Sequence, residues 1–204
     1  MLRKVFFDGI LAGLAVSLGG AVFMACNSRY VGAALFSVAL YTVCCFGFYL
    51  YTGKIGYIVE SHTKNDFLSL IVGLIGNAVG AVACGLAVAF ASPAFREKAV
   101  SLAETKLAVG IGETFVKALF CGILMYISVW IYKEKKTPIG IFVCIPTFIL
   151  SGFEHSVANM FYFSLGNSFT GKTALYVFIA VLGNTVGGIL IPLLLKAGGK
   201  GEAK

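Results

Sequence analysis

Few side chains in this sequence can do acid–base chemistry within an apolar setting, and two of them are adjacent: Glu154 and His155. They lie between the apolar run 139–150 and a second apolar stretch. An ionisable group at such a place is costly to desolvate, and such groups as a rule serve a function. An imidazole with an unperturbed pKa near ~6.5 exchanges protons in either direction close to neutral pH. It is therefore suited to trading a proton with a weak acid. The plain alternative for His155 is a neutral ring satisfied by backbone groups. Its few polar neighbours in sequence favour a pore-lining role instead. Glu154 reads first as structural, either capping the helix that follows or pairing across a subunit interface. His62 falls in a polar connection and has no such setting.

About 100 residues earlier stand Thr52 and Lys54. A threonine hydroxyl can donate a hydrogen bond to an anion without placing a charge in the apolar surround. Lys54 can snorkel to the aqueous edge or touch a permeant. Asn159 reads as a group that satisfies backbone. Lys106 reads equally as a solvated loop lysine or as a vestibule charge that attracts anions. Phe36, Leu40, Leu50 and Phe148 are candidate apolar gates. No nucleophile–base–orienter set and no metal-ligand spacing is present, so a membrane enzyme using His155 is a poor reading and no cofactor is expected. The six cysteines lie within or at the ends of apolar runs and suggest neither a disulfide framework nor a metal site.

These residues must be positioned by membrane-spanning helices. Of the 204 residues, 59% are hydrophobic and 12% charged, too few polar side chains to coat a soluble globule. Apolar runs cover 5–26, 31–47 with a polar-tipped continuation to about 60, 67–90, 110–132, 138 to a break at 151–152, and 174–195. A crossing needs roughly 20 apolar residues, so six crossings are expected. Residues 92–109 are expected to form a mixed loop. Six crossings put nine basic residues (Arg3, Lys4, Lys64, Lys133, Lys135, Lys136, Lys196, Lys200, Lys204) on the side of both termini and five (Arg29, Arg96, Lys98, Lys106, Lys172) on the other. That bias places both termini in the cytoplasm. It also accounts for the net charge of +7 without invoking nucleic acid.

Two segments align without a gap: GFYLYTGKIGY (47–57) and GFEHSVANMFY (152–162), offset by 105. GNAVG (76–80) and GNTVG (183–187) align at an offset of 107. The single membrane domain, 1–204, then divides into repeats at about 5–90 and 110–196, three helices each. An odd number inverts the second relative to the first, and interrupted helices at matching places point to a site near the midplane. Gly9 with Gly13, and Gly76 with Gly80, allow close helix packing within or between protomers.

Residues 152–161 resemble the fifth-helix signature of the formate/nitrite transporter family. Leu50-Tyr51-Thr52-Gly53 resembles its second-helix signature, and Gly183-Asn184 with Gly187-Gly188 its sixth-helix motif. The resemblance spans nearly the whole chain and suggests a short, divergent member. It implies an all-α membrane protein: six transmembrane helices in an aquaporin-like inverted repeat (3+3), with helices 2 and 5 interrupted. It further implies a homopentamer of the cell membrane in which each protomer carries its own pore for formate, nitrite, hydrosulfide or a similar anion. By matching positions His155 would be the central pore histidine, Thr52 the threonine of the second-helix break, and Lys106 the outer-side lysine. Phe36, Leu40, Leu50 and Phe148 would form two constrictions. Two positions depart from the pattern: Tyr49, where members commonly have an acidic residue, and Tyr126, where many have an asparagine beside the lysine. An aquaporin-like pore for neutral solutes is the alternative, but it gives no reason for an ionisable His155 beside Thr52.

Overall fold

The computed structural model describes residues 1–199, and among them every regular element is helical. Lys200 and Lys204, two of the basic residues assigned to the terminal side, lie outside the described residues. The order is α1 (Leu2–Ala25), α2 (Arg29–Phe46), α3 (Tyr51–Lys54) running into a 3-10 turn (Ile55–Val59), α4 (Lys64–Ala91), α5 (Pro93–Ala108), α6 (Ile111–Lys135), α7 (Ile139–Leu150), α8 (Ser156–Leu165) and α9 (Gly171–Ala197). Five of these, α1, α2, α4, α6 and α9, are long and apolar enough to cross a membrane. The apolar α7 has 12 residues and α8 has 10, too few for either to cross alone.

Capping residues set the starts. Ser28, Thr63, Ser92 and Thr170 each accept a backbone N–H of the first turn, and Thr63 and Thr170 do so in reciprocal capping boxes. Residues 92–109, expected to form a loop, are instead mostly the helix α5. Pro93 sits at its start behind the Ser92 cap, and Ala99 and Ala103 bury one face while Arg96, Glu97, Lys98 and Glu104 stay outside.

Glycine lets the long helices touch backbone to backbone. A Cβ on Gly80 would overlap the Ile10 carbonyl, and one on Gly187 the Leu119 carbonyl, so α1 seats on α4 and α6 on α9. The glycines at 9, 13, 76 and 80 thus serve packing inside one chain.

The two interruptions are built alike. α2 stops at Gly47 (φ 70°) and α7 stops just before Gly152 (φ 69°), both left-handed positions that favour glycine. The Phe48 N–H donates to Val43 O at 3.0 Å, and the Phe153 N–H to Phe148 O at 3.0 Å. The backbone then runs extended through Leu50 and His155, and α3 and α8 begin.

Candidate functional site

An interrupted helix exposes N–H and C=O groups that lipid cannot satisfy. Two buried asparagines satisfy them here. The Asn77 amide donates to Gly9 O (2.9 Å) and Tyr49 O (2.8 Å), while its Oδ1 accepts the Tyr51 N–H (2.9 Å). The Asn184 amide donates to Ala118 O (2.8 Å) and Glu154 O (2.9 Å), while its Oδ1 accepts the Ser156 N–H (2.9 Å). Sequence reasoning used these asparagines as markers of a repeat, and Asn184 also as part of the sixth-helix motif, without giving either a structural role. The signal that could have found them is a lone amide at matching places in two apolar, glycine-flanked runs.

The breaks bring Thr52 and His155 together. His155 caps α8: its Nδ1 accepts the Ala158 N–H at 3.2 Å. That bond needs a lone pair on Nδ1, so the neutral ring carries its hydrogen on Nε2. Nε2 lies 2.9 Å from Thr52 Oγ1 and donates to it. The hydroxyl hydrogen of Thr52 is then left to point at a third group. Both residues are deeply buried, at 1% and 4% exposure.

Apolar residues flank this pair in two groups. The Phe148 ring stacks on the His155 ring at 5.9 Å, and Phe36 meets Phe148 edge-on at 6.0 Å. Leu40 and Leu50, equally buried, line a pocket of about 70 Å³ whose wall also includes Gly47, where α2 stops, and Lys54.

Glu154 faces elsewhere. Its carboxylate accepts from Lys106 Nζ at 2.6 Å and from Asn159 Nδ2 at 2.8 Å. Several expectations change with that geometry. The cap of α8 is His155 and not Glu154, because the carboxylate has turned to the lysine, and its ion pair lies within one chain rather than across an interface. Lys106 is no loop residue. It occupies the last turn of α5 at 16% side-chain exposure, and its charge is matched by Glu154. The Asn159 side chain serves that carboxylate and not the backbone, while its buried Oδ1 has no partner among the described residues. Tyr126 is not beside Lys106: its ring packs on Tyr57 at 5.9 Å and against Gly56. Five residues earlier on α6, the fully buried Cys121 lies within electrostatic reach of both Glu154 and Lys106.

Arg29, counted in the sequence only as an orienting charge, donates to Leu150 O (3.1 Å) and Ile149 O (3.4 Å) and so satisfies the end of α7. All six cysteines are free, and among the described residues no group of His, Cys, Asp and Glu could hold a metal ion.

Residues 1–197 match the formate/nitrite transporter family. The chain belongs to that family. A probable formate transporter of Methanothermobacter thermautotrophicus is 30% identical, over 93% of this chain and 86% of its own length. An uncharacterised transporter of Bacillus subtilis, YrhG, is 29% identical over 79% of this chain and 68% of its own length. Among solved structures, a pentameric formate channel with formate bound superposes with a TM-score of 0.83 at 20% identity, covering 98% of this chain and 97% of that one. At that identity the likeness establishes the shared fold. This member of the formate/nitrite transporter family is therefore an integral, multi-pass membrane protein.

Proposed function

We propose that this chain is a channel or proton-coupled transporter for small monovalent weak-acid anions, of which formate, nitrite and hydrosulfide are the candidates. The observation that carries the reading is the Thr52–His155 hydrogen bond, buried where two interrupted helices meet. The similarity to proteins called formate transporters and formate channels supports it. We read the architecture as six spans in a 3+3 inverted repeat, with α2–α3 and α7–α8 as the interrupted pair. The protomers assemble as a homopentamer in the plasma membrane, with both termini cytoplasmic.

A bare anion passing an apolar constriction loses hydration worth many kcal/mol, whereas the neutral acid does not. Phe36 with Phe148, and Leu40 with Leu50, form the constrictions on this reading. The hydroxyl hydrogen of Thr52 is the first donor an anion meets between them. His155 takes up a proton at Nδ1 only by giving up the Ala158 N–H, so its charged form arises when an anion is present to compensate that loss. The proton then passes from Nε2 through the Thr52 hydroxyl, which yields its own hydrogen to the anion. The acid crosses the next constriction uncharged.

Uptake by proteoliposomes at several pH values tests this. His155→Phe should abolish proton-linked formate uptake at low pH, and His155→Asn should keep a pore that has lost its pH dependence. A His155→Phe protein with the parent pH profile would refute the mechanism. Glycerol flux matching formate flux would favour a neutral-solute pore instead.

A further inference from the structure

The two interrupted helices treat matching positions in opposite ways. At 154 and 159, Glu154 and Asn159 are hydrogen-bonded to one another and the carboxylate cancels the charge of Lys106. At 49 and 54, 105 residues earlier, stand Tyr49 and Lys54. The acid is gone and the amide has become a cation, whose Nζ lies 5.6 Å from the centre of the Tyr49 ring. One break therefore carries a compensated pair and the other a net positive charge.

Lys54 is joined by a second lysine. Lys54 and Lys133 line one pocket together with Cys44, Leu40 and Leu50. The ammonium of Lys133 rests 3.7 Å above the Tyr57 ring, a contact that fixes its position while leaving its charge in place. Among the described residues, neither ammonium has a carboxylate within ion-pair distance. Glu60 and Glu134, both exposed and neither lining the pocket, act on Lys133 from beyond ion-pair distance. Two like charges on one mostly apolar pocket repel, and an anion between them relieves the repulsion. The pocket, about 70 Å³, has room for a small anion together with a few waters, each needing ~10–15 Å³ on this measure.

We propose that Lys54 and Lys133 form an anion-receiving site at the mouth where α2 ends, holding one small carboxylate or oxyanion ahead of Leu40 and Leu50. The site rests on the reading of the chain as an anion path. It makes the two mouths unequal: the mouth at Lys106 is neutralised by Glu154, while the mouth at Lys54 concentrates anions.

Cys44 is the built-in reporter. In a Cys45→Ala background, the protein is treated with a sulfonate-bearing methanethiosulfonate or with its trimethylammonium analogue, and modification of Cys44 is followed by peptide mass spectrometry. The anionic reagent should react about tenfold faster or more than the cationic one. Formate should slow the anionic reagent alone. Lys54→Asn combined with Lys133→Gln should bring the ratio near one. In parallel, formate flux is measured from each side of oriented proteoliposomes. The same double variant should raise half-saturation severalfold from the Lys54 side and leave the other side unchanged. A ratio near one in the parent, or an unchanged half-saturation on both sides, overturns the site. Loss of all anion flux in the parent with the charge preference intact would refute the transport reading and leave the anion site standing.

Discussion

The ion pair between Lys106 and Glu154 gives a sharp test of whether the buried carboxylate is held by its partner. Its N–O distance is 2.6 Å, and the side chains are 16% and 8% exposed, so solvent screening is slight. Replacing Lys106 by Met leaves a buried carboxylate with Asn159 as its remaining side-chain donor. Breaking a buried pair from one side typically costs ~3–5 kcal/mol. The surviving Asn159 bond puts the expected loss near the lower end, about 3 kcal/mol. For a chain of this size that is roughly a 6–12 °C fall in unfolding temperature, at ~2–4 °C per kcal/mol. Glu154→Gln should cost less, about 1 kcal/mol, because Lys106 is the more exposed partner and can turn its ammonium toward water while Gln keeps a bond to Asn159. The double variant, Lys106→Met with Glu154→Gln, removes both charges together and should lie within about 1 kcal/mol of the parent, since a buried pair is often nearly neutral against an uncharged replacement. Thermal unfolding in detergent, followed by the fluorescence of the single tryptophan, Trp130, reads all four proteins. Lys106→Met as stable as the double variant would refute the argument, because the carboxylate would then need no counter-charge.

Asn184→Leu orphans the Ser156 N–H and the Ala118 and Glu154 carbonyls, each worth ~1–3 kcal/mol when buried; it should prevent recovery of a monodisperse protein on size-exclusion chromatography. Thr52→Val is nearly isosteric and removes the hydroxyl at His155 Nε2; formate flux should fall by about tenfold, the worth of one net hydrogen bond, with little change in unfolding temperature. Phe148→Ala deletes the ring that packs on both His155 and Phe36. A liposome swelling assay should then show increased passage of larger monocarboxylates, and unchanged size selectivity would rule Phe148 out as a constriction.

The helices and their breaks were legible in the sequence for simple reasons. Spanning helices need long apolar runs, and left-handed stops favour glycine, so 47 and 152 stand out. The Thr52–His155 contact was legible only as far as the two residues fall on matched breaks. The bond itself depends on how α3 and α8 approach each other. What escaped was side-chain pairing over long separations. Lys106 and Glu154 are 48 residues apart, and nothing in a mixed-charge segment says that its last lysine turns inward. The same segment hid α5, since its charged composition resembles that of a loop and only Ser92-Pro93 marks a helix start.

Comparing the two breaks separates what the fold requires from what this pore adds. Asn77 and Asn184 bond backbone atoms at 49 and 51, and at 154 and 156, so the side chains at 49 and 154 are not needed to close the break. Tyr49 therefore stands there without cost to the helix interruption, while the carboxylate of Glu154 is held by Lys106 and Asn159. By the same comparison Leu50 and His155 occupy equivalent cap positions with nearly the same backbone angles, φ −93° and −102°. The backbone accepts a leucine at that place, so the imidazole is not required to shape the chain. It follows that His155→Leu should preserve the fold and remove only the proton-carrying group, together with the bonds to Ala158 and Thr52.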